Sequence, residues 1–414
     1  MTAAAVGHAE GVNGLLSAGA GNLAEHRALL GPLPSLGPRV LLSMVGDSGL
    51  TGRGGGSFPT ARKLTLVAGS GRAVLVANGA EGEPTSSKDR VLLLEAPHLV
   101  LDGLELAARA AGARRCVLVA PADLLDGVLA PAVAERRARV RLVAAPEGYV
   151  TGQETAVVAA ADGRPALPFQ PVQPIWRHGV AGRPTAVLNV ETLAHIGLIA
   201  RFGVAWFRSC GVPDDPGTRL LTISGAVGSQ GVWEAPGGTP LGEVVQAAGG
   251  PSEPLQALLI GGYHGGWVPW DDSTARLPLT RTALAPHGAA PGAGAVVALA
   301  ASSCGLQAAA GVVAYLAGES SGQCGPCVNG LPALARHLDA LARGRERVDA
   351  VAELERLAGM VDGRGACRHP DGTARFVRST LRTFRQEVAL HRDGRCSGRL
   401  PSARPDRSMP WPPS

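Results

Sequence analysis

The stretch AVLVANGAEGEP at residues 73–84 opens as an apolar run and breaks into a turn rich in Gly and Glu that ends at Pro84. Residues 73–77 are too few for a helix and Val-rich, so they read as a buried strand. Outward from it the texture repeats. Residues 98–111 carry a helical pattern, 116–120 (CVLVA) a second strand, 124–138 a helix broken at Pro131, and 140–144 (VRLVA) a third strand. Strands alternating with helices predict a parallel α/β sheet, whose ligands bind at the carboxyl ends of the strands. The turn after the first strand is therefore a candidate site.

Further along, 220–224 (LLTIS), 231–234 (GVWE), a short helix over 240–248 and 257–260 follow in quick order, which predicts a small α+β domain. From 306 to 390 the period is helical. Leu331, Leu334, Leu338 and Leu341 form one stripe, and Val348, Val351, Leu354, Leu357 and Val361 another. Val377, Leu381, Phe384 and Val388 form a third, and with the stretch before Glu319 they predict four helices, enough for a bundle. The expected division is a loose lead over 1–35, an α/β domain over 36–212, the α+β domain over 216–300 and the helical domain over 305–395. A Pro- and Ser-rich tail over 397–414 is expected to be disordered.

Bulk properties narrow the function. The formal charge of +5 is spread widely, with no basic run interleaved with aromatics, so no nucleic-acid partner is expected. The N-terminal residues lack a basic segment followed by an apolar core. The longest weakly apolar stretch, 295–317, contains Ser302, Ser303, Gln307 and several Gly, and reads as a strand and a helix instead of a span. These two absences point to a cytoplasmic chain with no membrane insertion of its own. Seven Cys in 414 residues, an odd number in a long chain, argue for thiol, metal or cluster chemistry over a disulfide framework.

Five motifs carry chemistry. The loop Gly52-Arg53-Gly54-Gly55-Gly56-Ser57-Phe58-Pro59-Thr60, followed by Lys63, offers backbone N–H groups and two cations to a phosphate. It precedes the first strand and lacks a terminal Gly-Lys-Ser/Thr, so it is neither a dinucleotide fingerprint nor a P-loop. Phe58, an aromatic in a chain with 4% aromatics, offers a face for stacking on a nucleotide base. The second motif is the turn from Asn78 through Glu81 and Glu83 to Lys88-Asp89-Arg90, in which Asn78 can both donate to and accept from a flavin-type ring. Gly148-Tyr149-Val150-Thr151-Gly152-Gln153-Glu154-Thr155 follows the third strand, and Asn189-Val190-Glu191-Thr192 follows a turn at Pro184. Last comes Cys324-Gly325-Pro326-Cys327, with Cys367 forty residues on. Two Cys one turn apart and a distant third suit a cluster. The same CGPC letters are those of a redox dithiol, but no strand precedes them here.

Taken in order, these motifs resemble the NADH-binding flavoprotein subunit of respiratory complex I and its relatives in NAD-linked hydrogenases and formate dehydrogenases. The family's GRGGAGFPTG-x-K is matched over 52–63, N-A-D-E-x-E-P-x-x-x-K-D-R over 78–90, and the Y-x-x-G-E-E-T-A of its third motif over 149–156, just after Gly148. Its G-x-P-T-x-x-N-N-V-E-T is matched over 182–192, and E-S-C-G-x-C-x-P-C over 319–327 with Cys367. The resemblance covers about 40 to 390. It implies a Rossmann-like FMN and NADH domain, a β-grasp (ubiquitin-like, SLBB) domain and a four-helix iron–sulfur domain. It further implies electron flow from NADH through FMN to a [4Fe–4S] cluster, and on to an acceptor protein such as a ferredoxin or reductase subunit, in a multi-subunit complex. Glu154 and Glu81 are the implied catalytic carboxylates. Gly52, Arg53, Gly54, Gly55, Phe58, Lys63, Asn78, Glu83, Tyr149, Gly152 and Asn189 are the implied cofactor-binding set. Cys324, Cys327 and Cys367 are the implied iron ligands, with Ser321 where the fourth Cys stands in the family. A serine oxygen at that corner predicts an oxygen-labile cluster, prone to the [3Fe–4S] form; Cys304 and Cys396 are the other thiols considered as replacements for it. Thr51, Ser57, Ala80, Gln153 and Leu188 also depart from the family pattern. A non-catalytic homologue, or a flavin–dithiol oxidoreductase without a cluster, stays open at this level.

Overall fold

The computed structural model describes residues 12–345 and 349–398. They form two compact units, one gathering residues up to 82, 86–221 and 232–239, the other 83–85, 222–231 and the chain from 240 onward.

The first unit is built on strands β1 (Val74–Asn78), β2 (Arg115–Pro121), β3 (Val140–Ala145) and β4 (Thr185–Asn189), in the order β3-β2-β1-β4. Every neighbouring pair is parallel. Successive side chains leave the sheet on opposite sides. Val74 and Val76 join Val117, Val119 and Val187 in one core with Val157, Val158 and Ile175, while Leu75, Ala77, Leu118, Ala120, Ala186 and Leu188 join the larger core on the other face. Burial on both faces explains why β1 and β2 read as unbroken apolar runs.

Around the sheet lie α1 (Leu23–Leu30), α2 (Pro38–Ser48), α3 (Thr60–Val67), α4 (Lys88–Glu95), α5 (Pro97–Ala111), α6 (Ala130–Arg136), α7 (Glu154–Ala161) and α8 (Val190–Arg208). Helices α5 and α8 approach at Gly103, where a Cβ would stand 1.8 Å from the Leu193 carbonyl oxygen. Helix α8 is the one described helix long and apolar enough to cross a membrane, yet every residue from Val190 to Ala200 is buried in the unit, and Gly203 (φ 88°) kinks it. It is a core helix.

The lead is not loose over its described part, which corrects the expectation for 12–35. Leu15 and Ala18 are fully buried, and the Glu234 carboxylate accepts from the Leu15 N–H (2.8 Å) and Leu16 N–H (2.9 Å). Residues 1–11 lie outside the described residues.

Next in the chain come β5 (Thr218–Gly225), β6 (Gly231–Pro236), α9 (Leu241–Ala247), β7 (Leu255–Ile260), β8 (Gly266–Pro269) and β9 (Ala295–Ala300), with the sheet order β8-β7-β9-β5-β6. β9 runs parallel to β5 and antiparallel to β7. The stretch 295–317 resolves into β9 and then α10 (Gly305–Gly318), and α11 (Leu331–Ala342), α12 (Ala350–Val361), α13 (His369–Thr383) and α14 (Arg385–Arg392) complete the helical region. The stripe from Val377 to Val388 is two helices, because the backbone breaks at Phe384 (φ −101°, ψ 34°). Its ring there packs edge-on against Trp267, 5.0 Å between centroids, and against the Gly305 backbone. Trp267 is also hydrogen-bonded to α13: its N–H donates to Ser379 Oγ (2.8 Å) and its ring N–H to Thr380 Oγ1 (3.2 Å). Val348 and the tail from 399 lie outside the described residues; Ser397, assigned to the tail by composition, is held by Glu387.

Candidate functional site

The Gly-rich loop is closed at its base. Thr51 bridges Pro59, the Gly52 N–H donates to the Phe58 carbonyl (2.9 Å), and the Thr60 N–H to that of Leu50 (3.0 Å). The Arg53 N–H donates to Thr192 Oγ1 at 2.9 Å, which seats the loop on the start of α8. Gly54 is exposed, and a Cβ there would meet Asn189 Cβ at 3.2 Å. Ser57 holds φ 48°, a left-handed conformation that costs an L side chain about 1–2 kcal/mol. Phe58 is 39% exposed with the Arg62 guanidinium over its ring at 5.6 Å.

Arg53 itself is corrected as a source of charge for a phosphate. Its guanidinium is buried, with Nη1 donating to Asp215 Oδ1 (2.7 Å) and Nη2 to the Pro216 carbonyl (2.8 Å). Only its backbone faces the loop.

The other motifs meet at the carboxyl ends of β1 and β4, where Asn78 and Asn189 are register partners. The Asn78 Nδ2 donates to the Gly152 carbonyl (2.9 Å), while its Oδ1 accepts the Ala80 N–H (3.1 Å). A Cβ on Gly82 would stand 2.5 Å from the Tyr149 carbonyl, and one on Gly152 2.7 Å from that of Ala80. The two turns thus touch backbone to backbone, a packing that only glycine permits. Lys63, on α3, donates to Glu154 Oε1 (2.6 Å) and to the Val187 carbonyl (3.1 Å), and both side chains stay partly exposed. Gln153, which replaces a family Glu, caps α7: its Oε1 accepts from the Thr155 N–H (2.8 Å), the Thr155 hydroxyl (2.6 Å) and the Ala156 N–H (3.3 Å). An amide oxygen serves that role as a carboxylate oxygen does.

Beneath the cradle lies a buried charge network that sequence reasoning left out of the site. Lys88, 2% exposed, donates to Asp89 Oδ1 (2.8 Å) and Glu191 Oε2 (2.6 Å). Burial pulls its ammonium down, but the two carboxylates outweigh burial and hold it above its ordinary value. Asp89 in turn accepts from Asn189 Nδ2 (2.5 Å), and Glu191 accepts the Leu220 N–H (2.9 Å). The signal was present: all three charges belong to two motifs already singled out.

Two implied roles are corrected. The Glu81 carboxylate turns into the start of α4, accepting from the Ser86 hydroxyl (2.5 Å) and the N–H groups of Asp89 (3.2 Å) and Arg90 (3.1 Å). Burial, then the nearby Asp89 charge, push it up to about 7. It holds the helix that carries Lys88 and is a positioning residue. Glu83 belongs to the second unit, where its carboxylate accepts from the Thr85 hydroxyl (2.6 Å) and the Tyr263 N–H (2.8 Å). Both oxygens are engaged there, and the side chain fastens the turn before β8.

In the helical region the thiols converge. Cys324, Cys367 and the Ser321 hydroxyl all act on the Cys327 sulfur, and Cys324 acts on that of Cys367. Burial, and then Cys324, push the Cys327 thiol up to about 11. Burial also pushes Cys324 up, but the N–H groups of Ala366 and Cys327 and the Cys327 side chain outweigh it and set it below its ordinary value. Three sulfurs and one hydroxyl therefore lie near enough to act on one another, and a helical turn (Pro326–Gly330) frames the CGPC instead of a strand exit. That donor set suits an iron–sulfur cluster with one oxygen corner. Cys304 and Cys396, weighed as substitutes for the fourth thiol, lie instead with Glu387 and His391.

Comparison with known proteins agrees with this geometry. Residues 45–198 match the Nuo51 FMN-binding domain, 220–262 the SLBB domain, and 307–391 the NADH-ubiquinone oxidoreductase-F iron-sulfur binding region. The chain is 30% identical to the second F subunit of NADH-quinone oxidoreductase in Rhizobium meliloti over 389 residues, covering 88% of this chain and 92% of that protein. It is 31% identical to the F subunit of NADH-quinone oxidoreductase in Salmonella typhimurium over 379 residues, covering 86% and 85%. A crystal structure of an NAD+-reducing [NiFe]-hydrogenase in the H2-reduced state superimposes with a TM-score of 0.79 at 30% identity. That match covers 86% of this chain and 63% of the hydrogenase chain. Motifs, fold and comparisons agree: the chain belongs to the family of NADH-quinone oxidoreductase F subunits.

Proposed function

We propose that the protein oxidises NADH and passes the electrons, by way of FMN and an iron–sulfur cluster, to a one-electron acceptor protein. The observation that carries this reading is the meeting of four separated motifs at the carboxyl end of one parallel sheet, with Gly82 and Gly152 packed backbone to backbone and Gly54 against the Asn189 side chain. FMN supplies exchange between paired and single electrons, and the cluster a one-electron carrier. The chain's task is to bind, orient and insulate. The backbone of Gly54 and Gly55 would take the flavin phosphate, with Gly52 closing the loop through Phe58, and Asn78, Tyr149, Gly152 and Asn189 would line the ring. Phe58 offers its exposed face to NADH. Glu154, which pairs with Lys63 and stays partly exposed, would orient the nicotinamide. Cys324, Cys327 and Cys367 would hold three irons, and Ser321 or solvent the fourth. The family relatives are named as subunits of NADH-quinone oxidoreductase, which favours work within a multi-subunit complex, with a ferredoxin or reductase subunit as acceptor. We assign the functional regions to 36–212, 216–300 and 305–395 and place the protein in the cytoplasm.

Anaerobic purification, followed by flavin and iron counting and addition of NADH, tests this. The expected result is one flavin per chain that bleaches with NADH, together with cluster iron. A colourless protein after anaerobic reconstitution with FMN, iron and sulfide overturns it. Flavin without iron, with two titratable thiols at Cys324 and Cys327, moves the assignment to a dithiol oxidoreductase.

A further inference from the structure

We propose that Cys304, Glu387, His391 and Cys396 form a zinc site, distinct from the iron–sulfur thiols, that ties the end of the helical region to the start of α10. Their ligand atoms all lie within 4.8 Å of one another, and three of the four residues are buried. Cys304 Sγ stands 3.3 Å from His391 Nε2 and 3.7 Å from Glu387 Oε1, and those two atoms are 3.0 Å apart. Zinc bonds of about 2.0–2.3 Å put the edges of a ligand tetrahedron at about 3.3–3.8 Å. The spacing is therefore close to that of a tetrahedron around a zinc-sized ion, and two sulfurs, one imidazole and one carboxylate are a donor set zinc accepts.

Each ligand is delivered by local structure. Glu387 and His391 are four residues apart on α14 and so share one face. Cys304 is the residue that begins α10, 83 positions before Glu387. Cys396 comes from the turn after α14, which lies directly over Cys304: a Cβ on Gly398 would be 2.5 Å from the Cys304 nitrogen. The Glu387 carboxylate is held by Ser397, whose N–H donates to Oε1 (3.0 Å) and whose hydroxyl donates to Oε2, as carboxylate ligands commonly are. The Cys304 sulfur is thus buried beside an imidazole and a carboxylate. On binding, each thiol releases its proton to solvent, and two thiolates and one carboxylate meet the two positive charges. Nothing in the nucleotide cradle or the CGPC site uses these residues, and they account for the two thiols of the helical region that the iron–sulfur set leaves over.

The test uses the full chain, purified anaerobically, with zinc and iron counted together. The expected result is one zinc per chain in the wild type and in Cys324→Ser, and at least a tenfold loss of zinc in His391→Ala and Cys396→Ser with iron unchanged. A second measurement needs no variant. Alkylation of the exposed Cys396 should slow at least tenfold when zinc is added and recover with a chelator. The proposal is overturned if zinc follows Cys324 instead of His391. It is equally overturned if Cys396 alkylates at one rate with and without zinc, or if Cys304 and Cys396 are recovered as a disulfide.

Discussion

In the cradle at the end of the parallel sheet, the charged groups already have partners: Lys63 with Glu154, Lys88 with Asp89 and Glu191, Arg53 with Asp215. In the helical region Ser321, Cys324, Cys327 and Cys367 act chiefly on one another, and backbone N–H groups lower the thiols of Cys324 and Cys367. The first site is organised before any ligand arrives, because its ion pairs and backbone contacts set the loops. The second gathers soft donors whose full bonding needs a guest. Flavin binding should therefore survive loss of the cluster, and the cluster should be sensitive to single ligands.

The largest expected effect breaks the second site and leaves the first alone. Cys324→Ser should abolish cluster iron and its paramagnetic resonance signal, with flavin content unchanged. In the same measurement Ser321→Cys should retain more iron in air than wild type, because thiolate replaces a harder and less acidic oxygen. Loss of flavin along with iron in Cys324→Ser would show that the two sites are not independent.

Next in size is the cradle's own foundation. Lys88→Met leaves Asp89 and Glu191 buried without their cation, which costs about 3–5 kcal/mol, read by urea denaturation. The folded Lys88 value is raised, so its contribution is fully present below the ordinary 10.5 and fades only above it. A comparison at pH 7 therefore reads all of it. A loss within 1 kcal/mol would mean that the cradle is not preorganised by this network.

A smaller effect belongs to the ligand face. Phe58→Ala should raise KM for NADH about tenfold, from roughly 1–2 kcal/mol of lost stacking. Chromatography of the released flavin should give FMN, since the loop presents N–H groups for one phosphate and no dinucleotide fingerprint; FAD would move the phosphate site elsewhere. The smallest effect is at Ser57, whose φ of 48° favours glycine. Ser57→Gly should stabilise the protein by about 0.5–1 kcal/mol, the relief of strain less the added freedom of the unfolded chain, seen as a raised Tm. A lowered Tm would show that the serine side chain holds the loop.

How much was legible in advance varied with the range of the interaction. The strands at 73–77, 116–120 and 140–144 stood out because burial on both faces demands apolar side chains in succession, and the observed strands differ by a residue or so at their ends. Helix α8 was less visible. Its apolar stretch follows β4 without a break, so only the motif at Asn189 marked the place. The split of the last helical stripe at Phe384 was not visible either, since periodicity records which residues are buried and not whether the backbone between them is continuous.

The sequence by itself determined what local spacing can encode: the Gly-rich loop, the turns after the strands, and the CGPC pair with Ser321 three residues before it. Each is a short-range pattern whose geometry follows from the backbone. Only the tertiary structure decided where long side chains end. Arg53 and Glu81 sit in motifs that look like binding loops, yet one pairs with Asp215 and the other caps α4. Cys304, Glu387, His391 and Cys396 form no motif at all, because the partners of Cys304 are at least 83 positions away and meet it only when α14 folds back against the start of α10. A side chain's partner is set by whichever group is nearest after packing, and separation along the chain carries no record of that distance.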